Sequence, residues 1–157
     1  MADKAPSFLD ASTVPPRVGS NYPPDLAKAV AGRAKRALGD RFGLTQYGVN
    51  HVTLEPGSAS AHRHWHEVED EFIYVLTGEI VLKDDDGEHV LTPGMCAGFK
   101  AGVPNGHCLI NKTSQPAAYL EVGTRSPTET AHYPDTDLKA VKTDYKFAFT
   151  RKDGSPL

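Results

Sequence analysis

Residues 62–78 read HRHWHEVEDEFIYVLTG, placing three histidines and four acidic side chains immediately before an unbroken apolar run. Side chains on an extended chain alternate faces, so His64 and His66 point the same way, roughly 7 Å apart along the strand, while Trp65 points the other way. Two neutral imidazoles on one face can converge on a single divalent ion. After a short acidic turn the chain resumes as Glu71, then Phe72, Ile73, Tyr74, Val75 and Leu76. This β-branched and aromatic run reads as a strand buried on both faces. A carboxylate at the mouth of such a strand needs a counter-charge, because an unpaired buried charge is strongly destabilising. A cation shared by His64, His66 and Glu71 supplies one.

The elements that must position these groups are short strands. From Phe42 onward, apolar runs alternate with turn residues every eight to twelve positions, and no helical period appears before Thr124. The expected strands are 43–54, 60–66, 71–76, 79–83, 88–92, 96–99, 107–111 and 117–123, with breaks at Pro56-Gly57, Thr77-Gly78, the Asp84–Gly87 hairpin, Pro93-Gly94 and Gly102–Gly106. So many short antiparallel strands in a small domain call for closure into a barrel or jelly roll, which removes exposed edges. The expected architecture is therefore all-β, flanked by an N-terminal arm and helix (1–41) and a C-terminal tail (125–157) packed on a barrel spanning 42–124. Residues 1–23 are rich in Pro, Ser and Asp and read as an irregular arm. Over 24–38, Leu26, Ala27, Val30, Ala31, Ala34 and Leu38 recur at helical spacing, with Pro24 in the first turn, Gly39 as the stop, and Lys28, Arg33, Lys35 and Arg36 on a solvated face. In the tail, a short helix is expected near 138–141 and a further strand over 145–150.

At 157 residues and 39% hydrophobic, the chain suits one domain with a substantial core. A net charge of −3, with no basic stripe interleaved with aromatics, lacks the footprint of nucleic-acid binding. No run reaches the length of a membrane span and the N-terminus has no apolar signal core, so a cytoplasmic protein without membrane partners is expected. Two cysteines, Cys96 and Cys108, exclude a disulfide-built scaffold and read as small, partly buried core residues.

The residues Gly57, His64, His66, Glu71 and Gly78 resemble the first motif of the cupin superfamily, a Gly, then HxH, a Glu and a Gly. The family's second motif, which ends in a His and an Asn three residues apart inside the motif, is matched imperfectly. Counting from Gly94 puts Asn105 at the His position; counting from the other end pairs His107 with Asn111 and leaves two residues inserted in the turn. The second alignment is preferred, since imidazole is a much better ligand than a carboxamide. More closely, RHWHEVEDEFIYVLTGE, AGFKAGVPNGHCLIN and YLEVGTRSP with HYPDTDL resemble small single-domain bacterial cupins, a group often labelled cupin-2 or sugar-phosphate isomerase. This resemblance implies a double-stranded β-helix (a cupin or jelly-roll barrel), one metal between the two motifs, a small-molecule ligand and a homodimer. It implies no particular reaction, because the superfamily hosts isomerases, dioxygenases, decarboxylases and binding proteins.

On that basis His64, His66, Glu71 and His107 are the expected ligands of one divalent transition metal, Fe, Mn, Ni, Co or Zn, with open positions for a substrate. His62 shares the face of His64 and His66 and could line the barrel mouth. Glu69 shares the face of Glu71 and is the expected general base. In an isomerase it would move a proton between carbons beside a polarised carbonyl; a dioxygenase would instead need an apolar pocket, which the Ile73 and Val75 side could supply. A protein that binds a metal or small ligand without catalysis is the reading from another class. For a phosphorylated sugar, Lys83 and Lys100 are the only strand-borne cations in view.

Overall fold

Strict alternation in YGVNHVTL turns Val52 and Leu54 inward, each fully buried, and sets the pattern of the molecule. The computed structural model describes residues 5–157. In chain order its strands and helices are β1 (Arg17–Val18), α1 (Pro24–Ala27), β2 (Arg33–Ala37), α2 (Leu38–Arg41), β3 (Tyr47–Leu54), β4 (Trp65–His66), β5 (Glu71–Thr77), β6 (Ile80–Asp84), β7 (Gly87–Leu91), β8 (Cys96–Phe99), β9 (Cys108–Ile110), β10 (Ala117–Thr124), β11 (Glu129–His132), β12 (Lys139–Thr143) and β13 (Lys146–Thr150).

One layer is a six-stranded sheet in the order β1-β2-β3-β10-β5-β8. The facing layer is made of a four-stranded sheet, β13-β12-β11-β4, and a three-stranded sheet, β7-β6-β9. Isolated antiparallel bridges, Ala59↔Ile110 and His64↔His107, link the segment before β4 to the segment around β9 and join these two sheets along one seam. Val52, Leu54, Ile73, Val75 and Tyr119 from the first layer pack against Ile80, Leu82, Leu91 and Leu109 from the second. A smaller core under the C-terminal strands unites Ala131, Tyr133, Leu138 and Ala140 with Tyr22 and Leu26 of the N-terminal arm. Among the described residues no helix is long and apolar enough to cross a membrane.

Two motif residues hold turns rather than chemistry. Gly78 has φ +74°, and a Cβ there would come within 2.8 Å of the Ala117 backbone, so no side chain fits where β5 turns into β6. Asn111 is fully buried: its Nδ2 donates to the carbonyls of Leu54 and Gln115, and its Oδ1 accepts from the Thr113 N–H and hydroxyl. It pins the loop between β9 and β10.

Several local expectations need correction. The helix expected over 24–38 is a single turn, α1, followed by a 3-10 turn at Lys28–Val30, and its second half is the strand β2. The sequence RAKRA favours helix by propensity, but β3 presents an open edge and pairs with it from Arg33↔Leu54 to Ala37↔Asn50. Gly39 does not stop a helix; it lies within α2. The segment near 138–141 is extended, with β12 paired between β11 and β13. Residues 60–66 are mostly irregular, with only Trp65–His66 forming a strand. β5 is buried on one face alone, since Phe72 and Tyr74 are 43% and 41% exposed in the single chain. Residues 1–4 of the expected arm lie outside the described residues; the rest carries a 3-10 turn (Ala11–Thr13) and β1, which pairs with β2. Cys96 is exposed rather than partly buried, while Cys108 is buried, and both are free thiols.

Candidate metal centre

Glu71 opens β5 on its inward face, in line with Ile73 and Val75, and Gly123 stands opposite it on β10. Across the interior, His64 and His107 exchange backbone hydrogen bonds, His64 N–H to His107 O at 3.1 Å and His107 N–H to His64 O at 2.9 Å. The two sequence motifs are thus fastened to each other at the two histidines themselves. The Nε2 atoms of His107, His66 and His64 lie 2.8, 3.5 and 3.9 Å from one oxygen of Glu71, Oε2. The His64 and His66 rings stand edge to face with centroids 4.9 Å apart, closer than strand spacing gives, because the chain before β4 is irregular.

Two of the three histidines are oriented from behind. His64 Nδ1 lies 2.9 Å from the His62 carbonyl and His107 Nδ1 lies 3.3 Å from the Asn105 carbonyl, which leaves Nε2 of both rings for the centre. Phe99 stacks flat on His107 at 3.5 Å, and Tyr133 stacks on His64 at 5.6 Å. Burial pushes the His64 imidazole down to about 4, with Glu71 opposing and the other two histidines assisting, so its ring is neutral at physiological pH. Glu71 stays ionised: burial works to raise it, but the His107 hydrogen bond and the neighbouring imidazoles hold it far below the usual carboxylate range.

Imidazole nitrogens converging on an anionic oxygen are the donor set of a divalent transition-metal site. Ligands about 2.1 Å from an ion stand roughly 3 Å apart at right angles; the ligand atoms of His64, His66 and Glu71 lie within 4.8 Å of one another, and His107 Nε2 stands beside Glu71 Oε2. The residues present therefore fit a metal. Of the sequence-expected residues, the structure brings together His64, His66, Glu71 and His107. Asn105 is elsewhere, its Oδ1 accepting from the Asp85 N–H at 2.9 Å. His62 is turned toward the arm, with Nε2 2.8 Å from the Leu26 carbonyl.

Glu69 borders a small cavity beside His66, Glu71 and His107. It is buried in an ion pair with Lys142, and its Oε1 also accepts the Ser126 N–H at 2.6 Å. Glu129, missed in the sequence, takes a positioning role. Its side chain is fully buried, and its carboxylate accepts the backbone N–H groups of Glu67, Val68, Glu69 and Thr130 while Oε2 lies 3.7 Å from His66 Nδ1. Nothing in the tail sequence marks it out, since only the β4–β11 pairing brings it to the acidic turn.

A cavity of about 310 Å³ opens on the centre, lined by Ile73, Phe99 and Leu109, by Tyr22 and Tyr133, and by the charged side chains Arg17, Arg33, Lys35 and Glu121. These cations come from β1 and β2; of the two lysines expected from the sequence, Lys83 lines neither this cavity nor the next, and Lys100 borders the second. A smaller cavity of about 210 Å³, bordered by Trp65, Lys100 and Val103, reaches the centre from its other side.

The Cupin_2 family, described as a cupin domain, matches residues 50–123. The chain is 53% identical, with a TM-score of 0.92 and 96% of each chain covered, to a structure from Silicibacter pomeroyi described as a sugar phosphate isomerase from a cupin superfamily. A structure from Acidithiobacillus ferrooxidans, provisionally named a sugar phosphate isomerase, is 25% identical over 80% of each chain with a TM-score of 0.73. A predicted oxalate decarboxylase from Thermotoga maritima shares the fold at 22% identity, TM-score 0.60, covering 76% of this chain and 99% of its own. No curated protein matches.

Proposed function

The chain belongs to the cupin superfamily, and on that premise we propose that it is a mononuclear metal-dependent enzyme that isomerises a small polar metabolite. The observation that carries this reading is the approach of three imidazole Nε2 atoms to one oxygen of Glu71 at the wall of a cavity large enough for a metabolite. In it, His64, His66, Glu71 and His107 hold one divalent ion. Bound there, the metal supplies Lewis acidity toward a carbonyl and its neighbouring hydroxyl.

The chain's own residues do the rest. Phe99 and Tyr133, stacked on His107 and His64, fix the imidazoles and exclude water from their flanks. On the wall of the larger cavity the carboxylate besides Glu71 is Glu121, which faces the interior opposite Ile73 on the neighbouring strand. Its Oε1 accepts from Lys35 Nζ at 2.6 Å and Asn50 Nδ2 at 2.9 Å, so this oxygen is held in place while Oε2 can take a substrate proton on one carbon and return it to the next. Incubating the metal-loaded protein with candidate aldoses and ketoses in D₂O tests the reading. Isomerisation should place deuterium at the carbon beside the carbonyl, and Glu121→Gln should abolish it while metal is retained.

The apolar side formed by Ile73, Phe99 and Leu109 favours a second reading, an Fe(II)-dependent dioxygenase, for which oxygen uptake with an aromatic substrate is the test. A homodimer joined through the exposed Phe72 and Tyr74 face of β5 completes the proposal.

A further inference from the structure

The cavity has a second pole, and it is positive. Arg33 and Lys35 share one face of β2, and Arg17 stands directly opposite Lys35 in the β1–β2 register. Like charges placed opposite one another repel. Among the described residues only Lys35 of these three has a carboxylate partner, Glu121 at 2.6 Å. Among the described residues, Arg17 donates to the Asn21 side chain and Arg33 to two backbone carbonyls, Nη1 to Ser60 at 2.6 Å and Nη2 to Gly19 at 3.0 Å.

A guanidinium carries five N–H donors. With two engaged, three on Arg33 are left, including a buried Nε without a partner. Tyr119 is fully buried on the same wall, its hydroxyl close to the Ser60 side chain. Buried donors without acceptors are destabilising and rare. What this wall lacks is an acceptor, and the uncompensated guanidinium charges make a negative one the best fit.

We propose that this wall is an oxyanion subsite, in which Arg33 and Arg17, with Tyr119 beside them, hold the phosphate or carboxylate end of an extended ligand whose other end lies at Glu71 and the histidines. Arg33 on β2 and Glu71 on β5 are three strand spacings apart, roughly 14 Å along the curved sheet, so the anion is the far end of the ligand and not the group at the metal. This assignment rests on the cavity being the ligand site proposed above. It identifies the substrate class as a polyhydroxylated anion.

Calorimetric titration of the metal-loaded protein with glucose 6-phosphate, gluconate and glucose provides the test, with metal content measured separately. At least one anion should bind tenfold or more tighter than glucose and weaken with added salt; whichever is preferred assigns phosphate or carboxylate. Arg33→Gln and Arg17→Gln should each lose that preference by about tenfold while the metal content stays at wild-type level, and Arg33→Lys should restore part of it. If Arg33→Gln does not fold, Arg17→Gln on the exposed strand carries the comparison. Equal binding of anions and glucose, or an anion preference untouched in these variants, overturns the subsite even where the metal is retained. Loss of metal from the wild-type protein overturns the metal centre itself.

Discussion

Glu129 Oε2 lies 3.7 Å from His66 Nδ1 at the bottom of a fully buried pocket, the same carboxylate that ties down the backbone of Glu67, Val68 and Glu69. One side chain from the C-terminal sheet thereby braces the acidic turn that delivers Glu71 and places an anion behind His66, whose Nδ1 has no hydrogen-bond partner among the described residues.

Glu129→Gln keeps the shape but replaces an anion with a carboxamide. Partners behind metal-binding histidines are worth about 10–100-fold in metal affinity, so chelator competition should show a loss in that range. An affinity equal to wild type would leave Glu129 with loop bracing as its only task.

Metal retention depends on the centre as a unit. His64→Ala and His107→Ala should each purify without stoichiometric transition metal by elemental analysis. Metal at 100 times its dissociation constant stabilises the fold by about 2.7 kcal/mol. Adding chelator to the wild type should therefore lower the melting temperature by several degrees and leave His64→Ala unmoved; an unchanged wild-type melt would sink the proposed site.

Lys142 and Glu69 form an ion pair with side chains only 8% and 10% exposed. Lys142→Met leaves a buried carboxylate uncompensated, a change that costs about 3–5 kcal/mol. Urea unfolding should show the midpoint falling accordingly. A loss below about 1 kcal/mol would mean that water reaches Glu69.

The two thiols differ in reactivity for a physical reason. Burial pushes Cys108 up to about 11, whereas Cys96 is exposed on β8. Iodoacetamide at pH 8 should label Cys96 in the native protein and Cys108 only after unfolding, as read by peptide mass mapping. Labelling of both at equal rates contradicts the packing around β9.

Phe72 and Tyr74 project from β5 into solvent in the single chain. Sedimentation should report a dimer for the wild type and a monomer for Phe72→Glu with Tyr74→Glu. A monomeric wild type would show this face to be a surface of another kind.

The fold class was legible because the pattern of short apolar runs and turn residues from Phe42 to Thr124 admits little else. Gly78 was readable as a turn from the sequence, although its crowding against Ala117 was not. The stretch at 24–38 misled for an equally physical reason. Its alanines, arginines and lysines carry strong helix propensity, and the pairing that overrides it lies with β3, up to 21 positions along the chain. That misreading also hid Arg33 and Lys35, which a helix would have turned to solvent and a strand turns into the cavity. The setting of Glu69 was hidden in the same way, since its partner Lys142 is 73 residues away.

By itself, then, the sequence determined that His64 and His66 stand two residues apart just ahead of a strand that Glu71 opens, because spacing and strand propensity are local properties of the chain. Only the tertiary structure decided that the His107 side chain, and not that of Asn105, comes to Glu71, that Glu129 stands behind His66, and that cations line the same cavity. Those choices depend on strand pairings between distant segments, which no local periodicity encodes.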